Sequence, residues 1–213
     1  VNVEGTRHLL EHAGDAHFTF LSTDFVFDGE KGFYCEDDPQ GPVNYYGETK
    51  RRAEELVQNY AGPWAIVRTV LVYGAPRAGR GNLLTMVADA LRAGKPLRIF
   101  NDQLRTPTYV EDLVGALARI AIERKTGAWH ISGEDALTPY EAAVKTAQFL
   151  GLDSSLISPE TEHSFAQPAR RPPKTGFDIS KAKRELGYQP VSFEEGLRRT
   201  FHLTPGPSPG GEG

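Results

Sequence analysis

Tyr46 and Lys50 stand four residues apart, and Ser22-Thr23-Asp24-Phe25-Val26-Phe27 lies just upstream. Residues four apart on a helix share a face. A phenol and an ammonium are then held side by side, and a hydroxyl at a strand end can meet them. Such a set can move a proton onto or off a carbonyl or alcohol oxygen. Tyrosine ordinarily titrates near pH ~10 and lysine near ~10.4. A fixed positive charge beside the phenol lowers it toward working pH. Thr23 can hydrogen-bond the same substrate oxygen and hold it in place. With 8 tyrosines in the chain, the Tyr-to-Lys spacing arises readily by chance, so its weight comes from its surroundings.

Those surroundings read as alternating helices and strands. Residues 1–13 pattern as a helix. His17 to Leu21 form a short β-rich run ending at Ser22-Thr23. Residues 28–43 carry Gly, Pro and acids and read as a loop. Asn44 or Tyr45 opens a helix running to about Tyr60. Trp64 to Tyr73 is a nearly continuous apolar strand. Gly79-Arg80-Gly81 reads as a flexible loop, after which Asn82 caps a helix to about Ala93. Leu97 to Phe100 is a short strand, and Glu111-Asp112 open a helix to about Arg124. Ala128 to Ser132 is another strand. Thr138, Pro139 and Glu141 supply cap, first-turn proline and capping-box acid for a helix ending at Leu150-Gly151. Ser180 and Phe193 open two last short helices. The pattern predicts an α/β sheet between helix layers, with a smaller subdomain after residue 74 set on the strand ends where such folds bind ligands. No internal repeat is visible. Residues 202–213, rich in Pro and Gly, read as a disordered tail.

Composition narrows the partners. The chain has 213 residues, 24% of them charged, and a net charge of −4. No basic patch suits nucleic acid; the densest cluster, Arg170-Arg171, is short and sits in a loop-like stretch. No apolar run approaches the ~18 residues of a membrane helix, and no metal-ligand spacing stands out. Cys35 is the single cysteine, which excludes an intramolecular disulfide and points to a reducing cytoplasm. In the acidic stretch Tyr34-Cys35-Glu36-Asp37-Asp38 nothing activates it, and it reads as a bystander.

Taken in order, these motifs resemble the extended short-chain dehydrogenase/reductases, and among them the dTDP-4-dehydrorhamnose reductase and NAD-dependent sugar epimerase branch. The resemblance runs over about residues 1 to 201. It is carried by Asn2 to Thr6, Leu21 to Gly29, Pro42 to Glu54 and Arg68 to Gly74. Gly94 to Leu97, Pro107 to Leu113 and Asp178 to Ala182 complete it. It implies the C-terminal part of a Rossmann-type doubly wound parallel sheet (residues 1–74) with a mainly substrate-binding α/β subdomain (75–201) that returns in part to the sheet. It implies NADP or NAD as cofactor and a nucleotide-sugar as substrate. Tyr46 would be the general acid, or the base in reverse. Lys50 would lower the Tyr46 pKa and hold the nicotinamide ribose, and Thr23 would orient the substrate oxygen. Asn2, Ser22 and the Val70 backbone would contact the cofactor. Asp24 would contact substrate, and Asn82 and Arg105 its diphosphate, for which arginine's planar fork is suited; a plain helix cap and a solvated loop arginine are the alternatives. Family members often dimerise through the helices matching 1–13 and 44–60.

Two departures bear on the substrate. Rhamnose-pathway reductases typically have tyrosine at the position of Phe25 and tryptophan at that of Leu71. Losing a hydroxyl and an aromatic face leaves a related nucleotide-sugar, or another carbonyl, open. The family's Gly-rich pyrophosphate turn is missing from this sequence: Gly74, Gly79 and Gly81 have the wrong spacing. An N-terminally truncated reductase, binding NAD(P) weakly and leaving a sheet edge and a helix face uncovered, is the expectation. A sugar epimerase or dehydratase and a non-catalytic regulatory subunit are the competing readings, since fold does not dictate function.

Overall fold

The computed structural model describes residues 1–76, 81–161 and 169–202. The expected loop at Gly79-Arg80 and the tail from 203 onward lie outside the described residues. Helices are α1 (Asn2–Glu11), α2 (Tyr45–Gln58), α3 (Leu83–Arg92), α4 (Val110–Ile122), α5 (Pro139–Phe149), α6 (Ser180–Leu186) and α7 (Phe193–His202). Strands are β1 (Phe18–Thr23), β2 (Trp64–Thr69), β3 (Val72–Tyr73), β4 (Leu97–Phe100), β5 (Thr108–Tyr109), β6 (Gly127–Ile131) and β7 (Ile157–Glu160). Every strand pair is parallel, and the fold is α/β with helices between the strands.

The main sheet has the order β1-β2-β6, so the chain returns to it after an excursion through β3–β5. Its central strand shows why both faces are covered. Ala65 and Val67 join a core with Leu113, Ala116 and Ile120 of α4 and Ala182 and Leu186 of α6. Arg68, one step out of phase, reaches Glu54 on α2. Successive strand residues point to opposite faces, so α2 covers one side and α4 with α6 the other. Among the described residues β1 is paired only on its β2 side. The β4–β7 pair and the α3–α5 pair carry a separate core of Val87, Leu91, Ile99, Ala143, Ala147 and Ile157.

The strand expected over 64–73 is interrupted. Leu71 has φ +35°, in the left-handed region, and its turn separates β2 from β3. Left-handed geometry costs an L-residue roughly 1–2 kcal/mol. Thr108 occupies the break. Its hydroxyl donates to the Val70 carbonyl at 2.6 Å and accepts from the Val70 amide at 3.3 Å and from Thr69 Oγ1 at 3.0 Å. β5 then pairs with β3 in place of a continuing strand. Elsewhere the caps expected at Asn82 and Thr138 are found, as capping boxes with Thr85 and Glu141, and Asn44, one of the two expected starts of α2, caps it by accepting from the Gly47 amide. β5 and β7, two and four residues long, have no counterpart in the sequence reading.

Candidate active site

β1 ends at Thr23, and a single 3-10 turn over Asp24–Val26 follows. α2 begins close by because Gly47 permits it. A Cβ built on Gly47 would lie 2.1 Å from the Phe25 carbonyl oxygen, so the first turn of α2 rests on the backbone of the 3-10 turn. This contact sets Tyr46 against β1. The Tyr46 ring meets Phe25 edge-on, with centroids 5.9 Å apart, and its phenol comes within reach of the Thr23 hydroxyl. Thr23 in turn donates to Asp24 Oδ1 at 3.0 Å.

Asp24 is buried. Its Oδ2 accepts from the Thr175 hydroxyl and lies 3.8 Å from Arg105 Nε. Burial pushes the Asp24 carboxyl above the usual carboxylate range, against the lowering pull of Arg105 and of its hydroxyl donors. Tyr46 is half-buried. Its phenol is pushed above the ordinary tyrosine value, first by burial and also by the Asp24 charge, with the Thr23 hydrogen bond acting the other way.

Lys50 diverges from the phenol. Its Nζ donates to the Leu21 carbonyl at 2.7 Å and lies 4.4 Å from the Phe20 ring centroid. Burial lowers its pKa, opposed by Glu54. The expectation that Lys50 depresses the Tyr46 pKa is therefore corrected. The two residues share a helix face, but the ammonium is drawn to the β1 carbonyl, and burial with Asp24 governs the phenol.

The remaining predicted residues separate into those at the site and those occupied elsewhere. Ser22 Oγ is buried at the strand end with no hydrogen-bond partner. Asn2 Nδ2 donates to Thr49 Oγ1 at 3.1 Å, tying α1 to α2 one turn beyond Tyr46. The Val70 backbone is fully buried, and both its amide and its carbonyl are engaged by Thr108. Asn82 is a helix cap: its Oδ1 accepts from the Leu84 and Thr85 amides, and its Nδ2 donates to the Gly74 carbonyl. Arg105 is no solvated loop arginine but is 4% exposed and bound to backbone carbonyls. Neither Asn82 nor Arg105 presents the free donor fork expected of a diphosphate ligand. Cys35 is exposed, its thiol pushed up by partial burial and then by Asp178 and Asp38.

A second polar centre escaped the sequence reading. Arg68 is 3% exposed and pairs with Glu54 at 2.8 Å, while its Nη1 donates to the Glu36 carbonyl and contacts His130 Nε2 at 3.2 Å. His130 Nδ1 lies 2.9 Å from the Tyr34 carbonyl, and its ring stacks on Phe177. Burial, then the Arg68 charge, hold His130 well below the usual histidine value. The signal was present: a lone arginine in the apolar run Trp64 to Tyr73 demands a buried partner.

The family model for the RmlD substrate binding domain matches residues 1–204. The chain belongs to that family. A probable low-salt glycan biosynthesis reductase, Agl14, of Haloferax volcanii is 32% identical over 184 residues, covering 84% of this chain and 61% of the relative. Methionine adenosyltransferase 2 subunit beta of Mus musculus is 30% identical over 210 residues, covering 94% and 62%. The crystal structure of dTDP-4-dehydrorhamnose reductase from Bacillus anthracis in complex with NADP superposes with a TM-score of 0.87 at 27% identity, covering 96% of this chain and 72% of that one. The chain thus spans about three fifths of the length of the curated relatives it matches. Within the RmlD family frame, Thr23 and Tyr46 meet at the end of β1, and the stretch 172–175, late in the chain, closes over Asp24 through Thr175 and Arg105.

Proposed function

We propose that this chain carries the proton-transfer machinery of an NAD(P)-dependent reductase acting on a carbonyl of a nucleotide-linked sugar, with residues 1–74 as the cofactor-side portion and 75–201 mainly as the substrate side. The observation that carries the reading is the Tyr46 phenol, set beside Thr23 against the Phe25 ring and raised above its ordinary value by burial and by Asp24. A phenol held in its acid form suits reduction, where a proton must be given to the oxygen as the carbonyl becomes an alcohol. It suits less well an epimerase, whose first step takes a proton from a sugar alcohol.

The residues present fit one end of the cofactor. Ser22 supplies a buried hydroxyl without a partner, and Lys50 a half-buried ammonium one turn from Tyr46. Ser22, Lys50 and Tyr46 would hold the nicotinamide ribose, with Asn2 bracing α2 from behind through Thr49. The bound nicotinamide would supply the hydride. Tyr46 delivers the proton to the substrate oxygen, and Thr23 keeps the phenol aimed at it. The similarity to a glycan biosynthesis reductase and to a dTDP-4-dehydrorhamnose reductase supports a nucleotide-sugar substrate. The partly buried, left-handed Leu71 and the ring of Phe25 would form its apolar wall. The similarity to a methionine adenosyltransferase subunit favours a second reading, a subunit that keeps the scaffold for binding alone.

Tyr46→Phe in the full-length protein separates the two. Turnover of a 4-keto nucleotide-sugar with NADPH should fall by ~10²-fold or more if Tyr46 transfers the proton. Unchanged turnover removes the assignment.

A further inference from the structure

Arg105 is the most heavily engaged side chain near the site. Its Nη1 donates to the carbonyls of Leu104 at 2.8 Å and Pro173 at 3.2 Å, and its Nη2 to the Pro172 carbonyl at 2.8 Å and to Gln103 Oε1 at 3.3 Å. Its Nε lies 3.8 Å from Asp24 Oδ2. The guanidinium also lies 5.9 Å from the centroid of the Phe25 ring that packs on Tyr46. One cation therefore joins the stretch 172–173, the carboxylate next to Thr23, and the aromatic contact of the phenol.

The charge on Asp24 sets the sense of the hydrogen bonds beyond it. A carboxylate only accepts, whereas a carboxylic acid must donate once. Thr23 has one hydroxyl proton. While Asp24 is ionised, that proton is spent on Oδ1 and is withheld from the phenol, whose pKa a Thr23 donor would lower. If Asp24 is protonated, it can donate to Thr23 and turn the hydroxyl round. Arg105 is the cation facing Asp24; Thr23, Thr175 and the Tyr46 phenol are the other groups that face it. Arg171 and Asp102 are the other charged groups that act on Arg105.

We propose that Arg105 is a positioning residue for the Thr23–Tyr46 pair: docked under the 172–175 stretch, it holds Asp24 as a carboxylate, and so directs the Thr23 proton to Asp24 and away from the phenol. The docking of a late segment of the chain is thereby coupled to the orientation of a hydroxyl at the strand end. This inference deepens the reductase reading and rests on it for its catalytic meaning, but it can be tested without turnover.

The experiment is a carbon-13 titration of the 213-residue chain, following the Asp24 carboxyl (assigned with Asp24→Asn) and the Tyr46 ring carbon bearing the hydroxyl. In the native chain the ring carbon should show a step at the Asp24 midpoint, although the phenol itself stays protonated there. Arg105→Met should move the Asp24 midpoint up by ~1–3 pH units, the effect of losing a nearby opposite charge, and the ring step should move with it. Arg105→Lys, which keeps the charge, should leave both close to the native values. An unmoved midpoint in folded Arg105→Met, or a ring carbon blind to Asp24, overturns the proposal. If Arg105→Met does not fold, Thr175→Val removes a different Asp24 donor. It must raise the Asp24 midpoint and carry the ring step with it, or the proposal fails. In the full-length protein, turnover should fall on the acid side of the same midpoint. If Tyr46→Phe proves silent there, the reductase reading fails while the carbon-13 midpoints still decide the role of Arg105.

Discussion

Gly47→Ala puts two physical effects in opposition, and the sign of the result decides between them. By helix propensity alone the change is favourable, since alanine is better than glycine in a helix by ~1 kcal/mol. The packing says the reverse. The new Cβ would sit 2.1 Å from the Phe25 carbonyl oxygen and 2.9 Å from Pro42 Cβ, where an ordinary contact is 3.4 Å or more. The closer neighbour is backbone and cannot rotate away, so α2 must back off by on the order of 1 Å. Forcing an extra carbon into a packed contact costs ~1–3 kcal/mol. A clash with fixed backbone belongs at the top of that range, so the net expectation is a destabilisation of ~2 kcal/mol, read as a lower urea midpoint at unchanged slope. Tyr46 precedes Gly47 and moves with the helix, away from Thr23. A displacement of that size at a reacting group costs ~10²-fold in turnover, so the full-length variant should lose activity even where it is fully folded. A midpoint equal to or above that of the native chain would show that α2 does not rest on the 3-10 turn, and the positioning argument for Tyr46 would go with it.

Two further outcomes follow from the Arg68 centre. Arg68→Met leaves Glu54 buried without its ion-pair partner, which should cost ~3–5 kcal/mol in chemical denaturation; a loss under ~1 kcal/mol would mean that Gln40, which also donates to Glu54, suffices by itself. His130 is fully buried and its folded pKa is depressed below the ordinary value of 6.5, so on unfolding it takes up a proton at any pH between the two. Its contribution to stability is whole above pH ~6.5 and declines by ~1.4 kcal/mol per pH unit below it. The difference in unfolding free energy between the native chain and His130→Gln should therefore shrink as pH falls from 7 to 5. A constant difference would refute the buried neutral imidazole.

Much of the frame was legible because local rules agree with the tertiary result. Asn82 and Thr138 cap their helices where the spacing places them, Asn44 is the cap at one of the two expected starts of α2, and the strand over 64–69, buried from Ala65 onward, announced itself within a nearly continuous apolar run. What could not be read was set by contacts distant in sequence. The left-handed turn at Leu71 is held by Thr108, 37 residues on, whose hydroxyl takes over the ladder bonds of Val70; nothing local to Leu71 calls for it. The two- and four-residue strands β5 and β7 exist only by virtue of their partners. The resemblance implied Arg105 as a diphosphate ligand, with a solvated loop arginine as the alternative; its burial comes from the return of residues 172–175, which no local pattern announces.

The same limit governs the chemistry. Four-residue spacing on a helix does bring Tyr46 and Lys50 to one face, but it fixes Cβ positions and leaves the long side chains to find their own partners. Tyr46 finds Thr23 and Lys50 finds the Leu21 carbonyl two residues earlier on the same strand. Both tips are thus anchored to β1, at points separated along it, with the unpartnered Ser22 hydroxyl between them in sequence. An acid and a cation held apart in this way do different work. Under the reductase proposal the phenol, raised by burial and by Asp24, would keep its proton until a substrate oxygen accepts it. The ammonium, tied to the Leu21 carbonyl beside Ser22, would serve the nicotinamide ribose and not the phenol. On this reading the phenol handles the proton and the ammonium the cofactor. Lys50→Met in the full-length protein should then slow turnover while leaving the carbon-13 signature of the Thr23–Tyr46 hydrogen bond in place. If that signature disappears with the ammonium, the two groups are one unit, and the separation along β1 has no bearing on the chemistry.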